Sequence, residues 1–142
     1  MRSDVVEIAR TWIGTPYCHQ ASVRGGGTDC LGLVRGVWRE LFGAEPEAPP
    51  PYSMDWDEVT REERLWAAAT RHLEPVDGAP SIPGDVILFR MRDAVVAKHL
   101  GIISGPDHFI HAYARHGVIE SALSDPWRRR IAARFRFPKE II

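Results

Sequence analysis

Apolar residues recur at helical spacing at the start of the chain, where Val5, Ile8, Ala9, Trp12 and Ile13 follow Ser3, a residue suited to an N-cap. Gly14 and Pro16 end that run. From Tyr17 to Thr28 the periodicity vanishes, and Arg24-Gly25-Gly26-Gly27 marks a loop. A second helix is predicted from Cys30, with Val34, Val37, Trp38 and Leu41 facing inward and Gly43 as its stop. Glu45 to Tyr52 carries Pro46, Pro49, Pro50 and Pro51 and reads as an extended connection, too short to separate two domains. A third helix is predicted from about Asp57 to Leu73, with Asp55 and Glu58 spaced as a capping box and Leu65, Trp66, Ala69 and Leu73 turned inward. Pro75, Pro80 and Pro83-Gly84 then close helical structure for good. Strands are expected at Val86–Phe89, Leu100–Ser104, Phe109–Tyr113, Val118–Glu120 and Ile131–Phe137. Helices followed by an antiparallel meander give an α+β fold, N-terminal helices packing on a C-terminal antiparallel β-sheet.

Composition narrows the class without changing that outline. At 142 residues the chain suits a single domain over 1–142. A chain of this size buries roughly 68–70% of its unfolded surface, so it needs no metal or disulfide to fold. A hydrophobic share of 44% and a charged share of 26% exclude a disordered chain. The formal net charge of −1 argues against a protein that coats nucleic acid. No apolar run approaches the ~18 residues of a transmembrane helix. Asp4 and Glu7 fall where a signal peptide would have its apolar stretch, so any export is expected to use another route. The two cysteines, Cys18 and Cys30, make no disulfide framework.

Chemistry enters at Thr28-Asp29-Cys30-Leu31-Gly32-Leu33-Val34. With Asp29 as N-cap, Cys30 takes the first helical position, where backbone N–H groups lack intrahelical partners. The positive helix end favours a thiolate there, lowering a cysteine pKa from ~8.5 to within ~3.5–7.5. The Cys30 N–H is also placed to donate to an oxyanion. Asp29 works against the thiolate, and an inert cysteine buried at a helix start fits the same residues. His99 and His111 flank the turn Ser104-Gly105-Pro106-Asp107. A hairpin centred near Gly105 sets them directly opposite, with Cβ atoms about 4.5–5.5 Å apart, and leaves Leu100, Ile102, Ile110 and Ala112 on the core face. A base and its orienting partner need such a pair. Two ordinary surface histidines on a half-exposed hairpin fit it as well.

Gly14-Thr15-Pro16-Tyr17, Asp29-Cys30-Leu31-Gly32-Leu33-Val34, Pro83-Gly84-Asp85-Val86, His99-Leu100-Gly101-Ile102 and Ile110-His111-Ala112 stand in the order found in NlpC-type cell-wall cysteine peptidases. The chain resembles these papain-like enzymes, which cleave peptidoglycan stem peptides, from about Val5 to Pro138. Pro50-Pro51-Tyr52-Ser53-Met54-Asp55-Trp56, Phe89-Arg90-Met91-Arg92, Ala97-Lys98-His99 and Pro126-Trp127-Arg128-Arg129-Arg130 are similar to a narrower branch, the peptidases encoded with phage-like tails and gene transfer agents. The resemblance implies Cys30 as nucleophile, His99 as general base and His111 as the polar third member. It implies an oxyanion role for Tyr17 and, for Asp29, binding of the free amine of a stem peptide. It calls for no metal and no cofactor. The implied activity is cleavage of the γ-D-glutamyl–diaminopimelate bond through a thioester. The implied partners are peptidoglycan and other phage-like tail proteins. The protein would stay cytoplasmic until assembly into the tail, then act on the periplasmic cell wall of the target cell. Leu31 departs from the family's usual serine, and Cys18-His19-Gln20 replaces a tryptophan-glycine stretch.

Those departures keep two other classes open, a non-catalytic tail component that retains the fold as an adaptor and an acyltransferase sharing the acyl-enzyme. Zinc at Cys18, His19, Cys30 and a later histidine is disfavoured, because the spacing lacks the short C-x₂₋₄-C hook and there is no second hook. The glycine run lacks the lysine of a phosphate loop. The basic cluster, Trp127-Arg128-Arg129-Arg130 with Arg134-Phe135-Arg136-Phe137, reads as an edge strand whose arginines face solvent or a protein partner rather than nucleic acid. His72, His108 and His116 read as structural or solvent-exposed, and Cys18 as a loop thiol near the cleft mouth.

Overall fold

The computed structural model describes residues 2–46, 63–91 and 97–139. Its elements run α1 (Ser3–Thr11), β1 (Ser22–Val23), β2 (Gly27–Thr28), α2 (Cys30–Phe42), α3 (Arg64–His72), β3 (Glu74–Pro75), β4 (Val86–Phe89), β5 (His99–Gly105), β6 (His108–Tyr113), β7 (Gly117–Ala122), α4 (Asp125–Arg128) and β8 (Ile131–Arg136). The α+β class holds, with helices ahead of an antiparallel sheet. Strand β4 sits where the sequence places it, because Val86-Ile87-Leu88-Phe89 is buried on both faces.

A six-stranded sheet in the order β3-β8-β4-β5-β6-β7 carries the molecule. Only β4 to β7 form the expected meander. Strand β8 returns to pair with β4, and β3 covers the far end of β8 through Glu74↔Arg136 and Pro75↔Phe135. The arginine-bearing strand is therefore not an edge. Arg136 donates to both carboxylate oxygens of Asp85, at 2.7 and 3.0 Å, and Arg134 donates to the Ser81 hydroxyl. Asp85 is fully buried, so this pairing answers a charge that would otherwise be stranded.

Both faces of the sheet are covered. On one face Val86, Leu88, Leu100, Ile102, Ile110 and Ala112 pack with α1, α2 and α3, as the alternation predicts for the last four. On the other face Ile87, Phe89, Ile103, Phe109 and Leu123 form a second cluster, joined by Trp127 and Ile131. The single turn α4, which supplies Trp127 to that layer, contradicts the expectation that Pro75, Pro80 and Pro83-Gly84 end helical structure for good. Pro126 sits in the first turn of α4, where its missing N–H costs nothing.

Helix α1 buries Val5 and Ala9, its C-cap Trp12 is buried beside them, and Ile13, just past the helix, is 42% exposed, against expectation. Ser3 lies inside the helix rather than capping it. Arg2 holds the cap position, its N–H bonded to the Pro83 carbonyl. Gly36 lets α1 lie close on α2, since a Cβ there would fall 2.1 Å from the Trp12 ring. Helix α3 buries Leu65 and Ala69 but starts only after Glu63, whose backbone (φ −85°, ψ 62°) is not helical. The expected start at Asp57, and the capping box of Asp55 and Glu58, lie outside the described residues, as does most of the Pro-rich connection. No helix among the described residues is long and apolar enough to cross a membrane.

Candidate active site

The loop that reads as structureless from Tyr17 to Thr28 contains a small hairpin, β1 paired with β2, and Tyr17 bridges to Thr28. This clamp delivers Asp29 to the N-cap of α2. One Asp29 oxygen accepts from the Gly32 N–H at 2.7 Å and the other from the Gln20 N–H at 2.8 Å. Gly32 is required here, because a Cβ would fall 2.0 Å from the Ala21 carbonyl oxygen. Asp29 is 2% exposed, with His19 Nδ1 3.9 Å from the same oxygen that meets Gln20. Its carboxylate binds loop to helix, so the substrate amine expected at this position would have to share oxygens the fold already uses.

Cys30 opens α2 as expected, and its thiol donates to the Lys98 carbonyl at 3.5 Å. The thiol therefore lies at the head of β5, one residue before His99. Burial pushes the Cys30 thiol up to about 12, and the Asp29 charge adds to the rise. The N–H groups of Leu100, Leu31 and Cys30 pull the other way and lose. The expected depression at a helix start is thus reversed, since desolvation of an anion outweighs the helix end.

His99 and His111 come together, but not as a directly opposed pair. The hairpin pairs Ile102 with Ile110 and Gly105 with His108, with a bulge at Ser104, so its centre falls between Pro106 and Asp107. The β5–β6 ladder stops at Ile102↔Ile110. Beyond it His99 stays paired to Phe89 of β4, and His111 to Ile119 of β7. The two rings converge across this divergence, with His99 Nε2 and His111 Nδ1 2.8 Å apart. His111 Nε2 in turn lies 2.8 Å from the Ser121 hydroxyl.

The pair is buried, His99 at 8% exposure and His111 at 0%. Trp127 lies against both rings, 5.7 and 5.2 Å between centroids, and Tyr113 stacks on His111. Burial, then the charge of His111, lowers His99 to about 3. Burial, then the charge of His116, lowers His111 to about 4. Both are therefore neutral imidazoles near pH 7. His116 is exposed as expected, yet its ring stacks on Tyr113 beside the site.

Tyr17 is half-buried, and its hydroxyl is pushed up to about 12 by burial and by the nearby charges of Cys30 and Asp29. It stays a donor. Cys18 is exposed, as expected of a loop thiol. Leu31 lines an apolar cavity of about 320 Å³ between α2 and α3, with Val34, Trp38, Leu65 and Leu100. Its departure from serine thus serves apolar packing. Among the described residues no three His, Cys, Asp or Glu side chains are grouped to hold a metal ion. The sequence missed Ser121 and Trp127. Strand β7 runs to Ala122 rather than Glu120, and continuing its alternation puts Ser121 on the face of His111.

Comparison with known proteins extends the geometry. The chain is 28% identical over 131 residues to the murein DD-endopeptidase MepS/murein LD-carboxypeptidase of Escherichia coli K12, covering 92% of this chain and 60% of that one. It is 32% identical over 142 residues to a gamma-DL-glutamyl hydrolase of Bacillus subtilis, covering 96% of this chain and 30% of that one. The chain thus spans under two thirds of the length of either relative. An NlpC/P60 family protein from Bacillus cereus shares the fold, with a TM-score of 0.66 over 96% of this chain and 40% of that one, at 19% identity. The sequence pattern of the NlpC/P60 family matches residues 14–136, a span that holds the thiol, both histidines and the whole six-stranded sheet, and the chain belongs to that family.

Proposed function

We propose that the chain is a cysteine peptidase that cleaves the stem peptide of peptidoglycan, at the γ-D-glutamyl–diaminopimelate bond, through a thioester on Cys30. One observation carries this proposal: the thiol sits on the carbonyl of Lys98, immediately before a histidine whose Nε2 is already engaged by His111. Only His99 Nδ1 is left to act as base. The relatives named as a murein endopeptidase and a gamma-DL-glutamyl hydrolase support the substrate class.

In this mechanism the substrate carbonyl enters above Cys30. As sulfur attacks, the thiol proton passes to His99 Nδ1, and the carbonyl oxygen gains the negative charge. The Cys30 N–H at the helix start and the Tyr17 hydroxyl hold that charge. Collapse breaks the C–N bond, and His99 returns the proton to the leaving amine. Water then cleaves the thioester with His99 as base, which restores the thiol. His111 fixes the His99 ring, as the third group of a triad does. Asp29 holds the loop before the site to the start of α2, and a substrate amine that reached it would share oxygens already bonded to Gln20 and Gly32.

Digestion of purified peptidoglycan, with the products read by mass spectrometry, tests the reaction. Wild type is expected to release peptides ending at the γ-D-glutamyl residue, and Cys30→Ser to release none. An inert wild type across pH 5–9 would refute the proposal.

We further propose that a phage-like or gene transfer agent tail carries the protein to the target wall. The sequence resemblance to that branch supports this, and contact with tail partners falls on surfaces away from the cleft. The candidate contact regions are the proline segment Glu45 to Tyr52, which lies mostly outside the described residues, and the arginine-rich C-terminal strand. Arg134, Arg136 and Arg128 are engaged within the fold by Ser81, Asp85 and Asp107, and Arg130 lies over the Trp127 ring, which leaves exposed Arg129 as the basic contact of this cluster. Proteomics of purified particles checks the placement, and absence of the protein would overturn it.

A further inference from the structure

The hydrogen-bonded run from His99 does not end at the family's third residue. It continues from His111 Nε2 to the hydroxyl of Ser121 on β7, at 2.8 Å. We propose that Ser121 is a positioning residue: by accepting the Nε2 proton of His111 it leaves His111 Nδ1 as an acceptor for His99, and so keeps His99 Nδ1 free for the thiol proton. The proposal rests on the cysteine peptidase mechanism above.

A neutral imidazole has one N–H, so the 2.8 Å contact between His99 Nε2 and His111 Nδ1 can be satisfied in two ways. If His99 donates, His99 Nδ1 is bare and His111 must carry its proton on Nε2, facing Ser121. If His111 donates instead, its Nε2 is bare and His99 carries its proton on Nδ1, the position the thiol needs. The first arrangement is competent and the second is not. The two differ only in where two protons sit, so the partner at His111 Nε2 sets the balance.

Ser121 is the partner this structure gives that nitrogen. His111 is fully buried, and an N–H left there without an acceptor is costly, more so than a bare lone pair. Removing the hydroxyl therefore penalises the competent arrangement more. The seat of Ser121 is fixed by its backbone pairing with Phe109, which aims it at the face that holds His111. Both imidazoles are neutral near pH 7, which is the condition for a tautomer to matter.

The test uses the full 142-residue chain and two independent readouts. Two-dimensional ¹H–¹⁵N spectra of the imidazoles in the free protein report the tautomer of each ring, whether or not the protein turns over substrate. Wild type is expected to show His111 protonated at Nε2 and His99 at Nε2. Ser121→Ala is expected to move His99 toward the Nδ1-protonated form. On a synthetic peptide with the γ-D-glutamyl–diaminopimelate bond, kcat of Ser121→Ala falls about ten- to a hundred-fold with KM unchanged, the size expected for an orphaned buried donor. Ser121→Thr, which keeps a hydroxyl, recovers kcat to within a few fold. A wild type with His111 protonated at Nδ1, or a Ser121→Ala protein with unchanged tautomers and unchanged kcat, overturns the proposal. If wild type leaves both peptide and peptidoglycan intact, the peptidase mechanism fails, and the spectra still decide the role of Ser121 on the tautomers.

Discussion

Cys30, hydrogen-bonded to the carbonyl next to His99 in the chain, and His99 itself are both neutral, because burial raises the thiol to about 12 and lowers the imidazole to about 3. In the proposed mechanism, a nucleophile held this way is quiet until a carbonyl arrives to take its charge. Alkylation by iodoacetamide at pH 8 should therefore modify exposed Cys18 well before Cys30, and the Cys30 rate should keep rising above pH 9, as peptide mapping over time would show. Equal rates at both cysteines would contradict a neutral, half-buried Cys30 thiol. Tyr17→Phe removes a donor that burial keeps protonated, so kcat should fall about 10²–10³-fold, the usual effect of one oxyanion donor, with KM little altered. The histidines also tie stability to pH. Unfolded, each titrates near 6.5, and folded they stay neutral down to about 4 for His111 and about 3 for His99. Within that window the unfolded chain binds more protons, so stability is full above pH 6.5 and is lost as pH falls toward 4. Urea midpoints at pH 7.5, 6 and 5 should decline in that order, and His111→Asn should flatten the decline.

Helix and strand differ in how much of the site they let the sequence show. The N-cap at Asp29 and the helix from Cys30 were legible because cap, helix start and Gly43 stop are all local signals. The face shared by His99 and His111 was legible because alternation fixes parity. Their true relation was not, since the bulge at Ser104 shifts the hairpin centre and the strands part beyond Ile102. Nothing local marks where a ladder ends. Helix α4 escaped notice for a related reason: four residues are too few for periodicity, and only the second apolar cluster explains them. That turn is what roofs the histidines with Trp127. Trp127→Ala should let water reach both rings, and their pKa values should climb toward 6.5 in an NMR titration. Unchanged values would mean that the roof has no part in keeping the pair neutral.

Across the whole molecule, β8 is built into the sheet between β3 and β4 rather than fringing it. Asp85 is fully buried between β4 and β8 and depends on Arg136, which is itself partly exposed. Arg136→Ala should cost about 2–3 kcal/mol in chemical denaturation, below the ~3–5 of a fully buried pair because the Ile82 N–H still reaches the carboxylate. The same strand explains why the basic cluster misled: its charges at Arg134 and Arg136 are committed to Ser81 and Asp85, contacts 53 and 51 residues away in sequence that no local pattern displays. Arg2 extends the theme, donating to the carbonyls of Phe137 and Pro138 across 135 and 136 residues. Seen in time rather than space, this zipper sets an order of events during synthesis. Residues 2 to 122 can leave the ribosome with helices and the β4–β7 meander formed, yet one flank of β4 stays unpaired until residues 131–136 emerge. An unpaired strand edge is a template for pairing with another chain, so the sheet around Cys30 and His99 is closed on that flank only when β8 arrives.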